Sequence, residues 1–337
     1  MKLYKPFYPI YMIIALILQL LAQCKNYLYK IKILKPYKIT TPIISIGNIE
    51  YGGTGKTPFV YYLSQKLISM GLKPGIVSRG YQRISNKEFI ISNENINSIS
   101  VRDVGDEPFM LSKMLPNVPI SINNNKTKGA INLDNNYNLD VIILDDGFQY
   151  RKLYRDIDLV LIKNINNKIY LREWKNNLNR ADIIATYSSS DIKQYSKNKK
   201  QSISLNTDFI INKKVVNKSI STITEGDYKF FDQCVGVCGI ANPQSFRDAI
   251  NNYKTNINMI ELLAFEDHQN YTNKEIQKIQ KILRKLNCNT IITTDKDIYK
   301  LLQTELVNLD VEIFILSMSI NINNDAILID MINKIIK

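Results

Sequence analysis

The stretch 42–58, PIISIGNIEYGGTGKTP, constrains the fold more than any other part of the chain. An apolar run breaks into glycines, passes through Lys-Thr and becomes amphipathic, which is how a strand, a tight loop and a helix N-terminus succeed one another. Main-chain N–H groups that cradle phosphates need glycine, because a Cβ keeps the backbone at a distance. Gly52, Gly53, Thr54 and Gly55 supply that loop, Lys56 a charge for β/γ-phosphate oxygens, and Thr57 a hydroxyl for a phosphate-bound cation. Glu50 stands where the strict G-x-x-x-x-G-K-[ST] pattern has its first glycine, so the reading rests on the denser core 52–57. The stretch reads as a nucleotide site.

Past the loop, Val60, Leu63, Leu67 and Met70 recur at helical spacing, with Pro58 in the first turn and Gly71 as the stop. β-rich runs at 75–78, 118–122, 141–144, 159–162 and 183–187 alternate with helical stretches. That alternation predicts an α/β fold, a doubly wound, mostly parallel sheet of the P-loop NTPase kind. The run 141–146, VIILDD, is a buried strand ending in Asp145 and Asp146. Carboxylates at the carboxyl end of a parallel strand face the ligand crevice, and one of them can hold Mg2+ directly or through water. Asp146-Gly147 is also a turn dipeptide, so one of the pair can serve the turn alone. Asp106, two residues before Pro108 and ahead of an apolar stretch, reads by local grammar as a helix N-cap. The polar segments 123–125 and 132–138 read as loop or frayed helix ends.

A length of 337 residues exceeds one typical domain. We divide it into an N-terminal segment 1–38, a P-loop domain 39–200, a connector 201–231 that is partly β, and a smaller α/β domain 232–337. The connector follows a Lys-rich run at 197–200. The smaller domain has strands expected at 234–238, 257–265 and 290–294. Its closing amphipathic helix, with Ile327, Leu328, Met331, Ile332 and Ile335, is expected to pack back on the first domain. A capping box at 272–275 opens a helix with Ile276, Ile279, Leu283 and Leu286 on one face. His268, the single histidine, lies just before it, a place where surface or packing roles are commonest. Cys24, Cys234, Cys238 and Cys288 fit no zinc or redox spacing and read as buried, reduced thiols of a cytosolic protein.

The formal net charge of +13 points to anionic partners. From Pro6 to Cys24 there is no charged residue, Lys2 and Lys5 precede that segment, and Lys25, Lys30, Lys32, Lys35 and Lys38 follow it. It is either a secretory signal, a single span, or a helix lying in the membrane interface with its lysines on anionic head groups. Gln23 stands where a lipoprotein cleavage box needs a small residue, and a phosphate loop needs cytosolic ATP. A membrane-associating helix at the cytoplasmic face is therefore expected. Nucleic acid is not expected, since no basic platform interleaved with aromatics accompanies the charge.

The chain resembles the tetraacyldisaccharide 4'-kinases, which phosphorylate the lipid A precursor. The resemblance is carried by short blocks in one order: Gly47-Asn48 with 52–58, Ser78-Arg79-Gly80-Tyr81, Gly105-Asp106-Glu107-Pro108, Asp145-Asp146-Gly147-Phe148-Gln149, Arg155-Asp156, Leu171-Arg172-Glu173, Ala181-Asp182, Gly239-Ile240 with Asn242-Pro243, Asp267-His268, and Thr294 with Lys296-Asp297. It implies γ-phosphoryl transfer from ATP, with Mg2+, to the 4'-hydroxyl of an acylated glucosamine disaccharide 1-phosphate at the bacterial inner membrane. It also implies that Asp106 is the base on the sugar hydroxyl with His268 tuning it, that Thr57, Asp145 and Asp146 serve the metal, and that Arg79, Arg172 and Glu173 help to position phosphate. Tyr150 and Gln269 stand where the family has histidines, Gln82 where it has Gly, and Trp174 where it has Pro. No role that needs those family side chains carries over. The rival reading is a membrane-tethered ParA-like ATPase switch, but its signature Lys before the paired glycines is Tyr51 here.

Overall fold

In the computed structural model, which describes residues 8–163, 165, 171–187, 201–217, 222–226, 233–253, 257–323 and 325–336, the strand feeding the glycine loop is buried at every position. The N-terminal half runs α1 (Tyr8–Lys30), β1 (Ile43–Asn48), α2 (Lys56–Ser69), β2 (Pro74–Ser78), β3 (Phe89–Ile91), α3 (Val101–Val104), α4 (Asp106–Met114), β4 (Ile120–Ile122), α5 (Lys126–Asn136), β5 (Val141–Asp145), β6 (Ile157–Ile162) and β7 (Ile183–Thr186). There follow β8 (Gln201–Asn217), β9 (Thr222–Glu225), β10 (Gln233–Cys238), α6 (Pro243–Asn251), β11 (Asn258–Ala264), α7 (Asn273–Lys285), β12 (Thr290–Thr294), α8 (Asp295–Leu301), β13 (Glu312–Ile322) and α9 (Ala326–Ile335). The Lys-rich run 197–200 and the first two lysines lie outside the described residues.

β1 and β5 are buried at every position and mostly apolar, with Ser45, Asn48 and Asp145 the polar exceptions, because helices cover both faces of the sheet. Side chains alternate across a strand: Ile44, Ile46, Val141 and Ile143 meet Phe59, Val60, Leu63 and Leu67 of α2, while Ile43, Ile142 and Leu144 meet Ala130 and Leu133 of α5. β1 lies between β5 and β6 and pairs parallel with both. The chain reaches β2 and β4 on one side of β1 and returns through β5 to β6 on the other. The carboxyl ends of β1, β5 and β2 therefore open on the crevice where such sheets bind ligands.

Among the described residues all thirteen strands belong to one sheet, ordered β11-β10-β12-β13-β8-β7-β6-β1-β5-β2-β4-β3, with β9 paired to β8. β8 is its long member at 17 residues, about 55 Å of extended chain. Its start pairs parallel with β7, and its further length pairs antiparallel with β13. Both halves of the molecule are thus hydrogen-bonded to one strand. α9 returns to α2: Leu328 and Ile332 join the Phe59 core, and Lys66 pairs with Asp325 at 2.7 Å.

Several expectations need correcting. Of the two readings of 132–138, loop is wrong for 132–136: they are the end of a helix, α5, which runs through to Asn136 and buries Gly129, Ala130 and Leu133 as one stripe. Strands β3 and β13 were not anticipated. Cys24 is exposed and Cys288 half-buried, so the expectation of buried thiols describes only Cys234 and Cys238. Among the described residues no helix is long and apolar enough to cross a membrane. Instead Ile13, Ile14, Leu16, Ile17, Leu18, Leu20 and Leu21 face outward, while Gln19 is buried against the body of the protein.

Candidate active site

The loop after β1 is held by its own side chains. Asn48 Nδ2 donates to Thr54 Oγ1 at 2.8 Å, and the Tyr187 hydroxyl donates to the Thr54 carbonyl at 3.3 Å. Gly55 is the N-cap of α2 in the left-handed region, φ 82°, and a Cβ there would fall 2.3 Å from the Tyr187 hydroxyl oxygen. Only glycine fits. Glu50, at the position of the missing glycine, is buried; its Oε1 accepts from the Lys163 N–H at 2.7 Å, and the residue bridges to Leu171. It fastens the base of the loop. Lys56 and Thr57 open α2, whose first-turn N–H groups have no carbonyl partner within the helix and whose dipole favours an anion.

The two carboxylates after β5 separate sharply in environment. Asp145 ends the strand, is buried, and accepts from Ser78 Oγ at 2.9 Å. Burial, with Glu107 nearby, pushes its pKa up to about 6 against the pull of Lys126. Asp146 turns out of the strand at φ 50° and meets Lys56 Nζ at 3.4 Å and Arg172 Nη1 at 2.9 Å. Burial works against its charge, but Lys56, Arg172 and Lys126 outweigh it and hold the pKa at about 2. Lys126 lies beneath both: its buried ammonium donates to the carbonyls of Asp145 at 2.6 Å and Asp146 at 2.7 Å.

A second group of charges forms where the two halves meet. Asp106 is the first residue of α4, with Gly105 as N-cap at φ 93°, so the cap expectation is corrected by one residue. Its side chain does no capping. Asp106 Oδ2 lies 3.0 Å from His268 Nδ1 and accepts from Lys300 Nζ at 2.9 Å. Burial would raise its pKa, yet the His268 hydrogen bond and the Lys300 ammonium prevail and hold it below the usual carboxylate range. His268 is itself in the left-handed region, φ 60°, with the Tyr81 ring edge-on at 5.5 Å. The end of β2 and the turn after it link the two groups, since Ser78 binds Asp145 while Tyr81 packs on His268.

Of the residues singled out from sequence, Gly52, Gly53, Thr54, Gly55, Lys56, Thr57, Asp145, Asp146 and Arg172 gather around the loop, and Asp106 and His268 form the second group. Arg79 is exposed directly after Ser78, within electrostatic reach of Lys126. Glu173 stands apart: it is 2% exposed and accepts from Arg180 Nη2 and Asn26 Nδ2, both at 2.9 Å. Lys126, Lys300 and Tyr187 were not singled out. Lys300 had one local signal, its place three residues after Asp297 on a short amphipathic helix.

A cradle of glycines at a helix N-terminus beside a lysine and a strand-end carboxylate pair suits little besides nucleotide phosphate, and an acid–histidine pair close by gives an acceptor somewhere to lose a proton. The class is that of the P-loop phosphotransferases. Residues 8–337 match the family model for the tetraacyldisaccharide-1-phosphate 4'-kinases, LpxK, and the chain belongs to this family. It is a kinase. The tetraacyldisaccharide 4'-kinase of Halothermothrix orenii is 30% identical, over 96% of this chain and 91% of that one. The enzyme of the same name from Desulfotalea psychrophila is 32% identical, over 81% and 82%. Among solved structures, LpxK from Aquifex aeolicus in complex with ATP superposes with a TM-score of 0.78 at 26% identity, covering 99% of both chains. None of these relatives is a ParA-like switch, and that reading is not favoured.

Proposed function

We propose that this chain transfers the γ-phosphoryl group of ATP to the 4'-hydroxyl of a tetraacylated glucosamine disaccharide 1-phosphate, at the cytoplasmic face of the bacterial inner membrane. One observation supports the reading: Ser78 at the end of β2 donates to Asp145, and Tyr81, three residues on, packs on His268, which meets Asp106 far away in sequence. ATP phosphates lie on the N–H groups of 53–57, with Lys56 and Arg172 against the transferring group. The donor set fits Mg2+: Thr57, Asp145 and Asp146 offer oxygens, and among the described residues no cluster of three or more His, Cys, Asp or Glu forms a dedicated cage. When bound, Mg2+ neutralises developing phosphate charge. Asp106 accepts the hydroxyl proton late in a loose transition state, where a carboxylate of low basicity suffices.

The outward apolar stripe of α1 with its flanking lysines suits the interface of an anionic membrane, where an acylated substrate resides. The test is a transfer assay with purified full-length protein, ATP and the tetraacyldisaccharide 1-phosphate in mixed micelles. Phosphorylated lipid is expected, lost by at least about a hundredfold in Lys56→Ala. ATP hydrolysis indifferent to the lipid, with nothing transferred, overturns the reading.

A further inference from the structure

We propose that Lys300 is a positioning residue for phosphoryl transfer: from the second half of the molecule its ammonium, with His268, clamps Oδ2 of Asp106, turning the other carboxylate oxygen to the acceptor hydroxyl. This rests on the reading of Asp106 given above. Lys300 is 6% exposed, and its short contact is to Asp106 at 2.9 Å, against 3.8 Å to Asp297 on its own helix. Asp297 does not need it. That carboxylate, wholly buried, already accepts from the Gly239 N–H at 2.9 Å, Thr294 Oγ1 at 2.7 Å and the Tyr271 hydroxyl at 3.1 Å.

A buried ammonium loses much hydration, and ion pairs of this kind add little to stability over well-packed apolar residues. What this one does is geometric. Both donors reach the same oxygen, and both come from the second half of the chain, 162 and 194 residues away in sequence. The Asp106 carboxylate is therefore fixed in rotation and kept ionised only while the two halves are together. Around it stand His268 and, behind it, Asp267; Lys300 with Lys296, Asp297 and Tyr271; Tyr81 against the histidine ring; and Glu107 on its own helix. Lys296 is taken up by Asp267 at 2.8 Å, so Lys300 is the cation that acts on Asp106 directly.

The sign follows. Lys300 favours the ionised carboxylate, so its removal raises the pKa of Asp106 and moves the acid limb of activity to higher pH. In the full-length enzyme, Lys300→Met should lower kcat about thirtyfold or more, leave the KM for ATP within about threefold, and shift the acid limb upward by about one pH unit. Lys300→Arg should restore most of the profile. In an Asp106→Asn background, Lys300→Met should cost less than about threefold more, because the group it positions is already gone. A merely structural lysine gives equal losses in both backgrounds and an unmoved limb, and that result overturns the proposal. Should Lys300→Met not fold, Lys300→Gln takes its place with the same expectation. One readout does not depend on transfer. The chain has a single histidine, so in untagged protein the His268 ring signal is unambiguous by NMR. It should shift in Lys300→Met or Lys300→Gln, and an unchanged signal refutes the clamp. If Asp106→Asn leaves turnover intact, the assignment of Asp106 fails separately from the clamp.

Discussion

Replacing Asp146 with Asn should move nucleotide binding and turnover in opposite directions. The carboxylate holds Lys56 at 3.4 Å and Arg172 at 2.9 Å, so before nucleotide arrives it occupies the two cations that suit the phosphates. Asn keeps the left-handed backbone that Asp146 adopts at φ 50°, and it is close to isosteric. The charge is what changes. Two opposite charges at 4 Å are worth about 4 kcal/mol at an effective dielectric of about 20. The Asp146 side chain is 38% exposed, so water and salt leave about a third of that, ~1.4 kcal/mol, or about tenfold in Kd. Calorimetry without divalent cations should therefore show ATP bound about tenfold more tightly by Asp146→Asn, and the gain should shrink as salt rises. With Mg2+ present, kcat for lipid phosphorylation should fall by about a hundredfold or more if Asp146 serves the metal as proposed, because a carboxylate is replaced by an amide. Weaker metal-free binding would refute the electrostatic reasoning. Unchanged turnover would remove Asp146 from the metal site.

Two further substitutions probe the supports of the site. Gly55→Ala strains a φ of 82° and drives a methyl into the Tyr187 hydroxyl, so ATP affinity should fall at least about tenfold. Adding Tyr187→Phe should recover part of the loss, and a Gly55→Ala protein with parental affinity contradicts the packing described. Gln19→Leu removes the donor to the Leu171 carbonyl and the acceptor for Trp174 Nε1, both at 2.8 Å. At about 1 kcal/mol each, the docking of α1 weakens by about 2 kcal/mol, and hydrogen exchange along 13–30 should quicken about thirtyfold. Exchange that stays at the parental rate would mean that other contacts hold the helix.

The central sheet was legible because burial on both faces writes β5 as an apolar run up to Asp145 and β1 as a mostly apolar one, and the alternation with helices leaves few topologies. α5 was hidden by its composition: Lys126 starts it with a buried ammonium and asparagines fill its last turn, so its apolar stripe is only Ala130 and Leu133. β8 was harder still. Its residues alternate like an exposed β segment, and only the pairing with both β7 and β13 shows it joining the two halves. Pairing between distant strands leaves no mark in a local window.

The same distinction divides the site. Lys56, Thr57 and Asp146 could be read from sequence because the loop and the strand end are local motifs whose chemistry fixes the residue types. Asp106 could not, since a carboxylate at the start of a helix has a sufficient local explanation, and its true partners lie 162 and 194 residues on. Family resemblance brought in His268 but was silent on Lys300, which carries no motif of its own. The substituted positions follow the same rule. Trp174, where the family has Pro, supplies the indole N–H that holds Gln19 of α1. Tyr150, where it has His, hydrogen-bonds Asn125 at 2.8 Å at the start of α5, next in sequence to Lys126, whose ammonium braces Asp145 and Asp146. These two departures thus fall in the supports of the site, where another side chain can make an equivalent contact, and not among the charges proposed to bear on the transferred phosphoryl group.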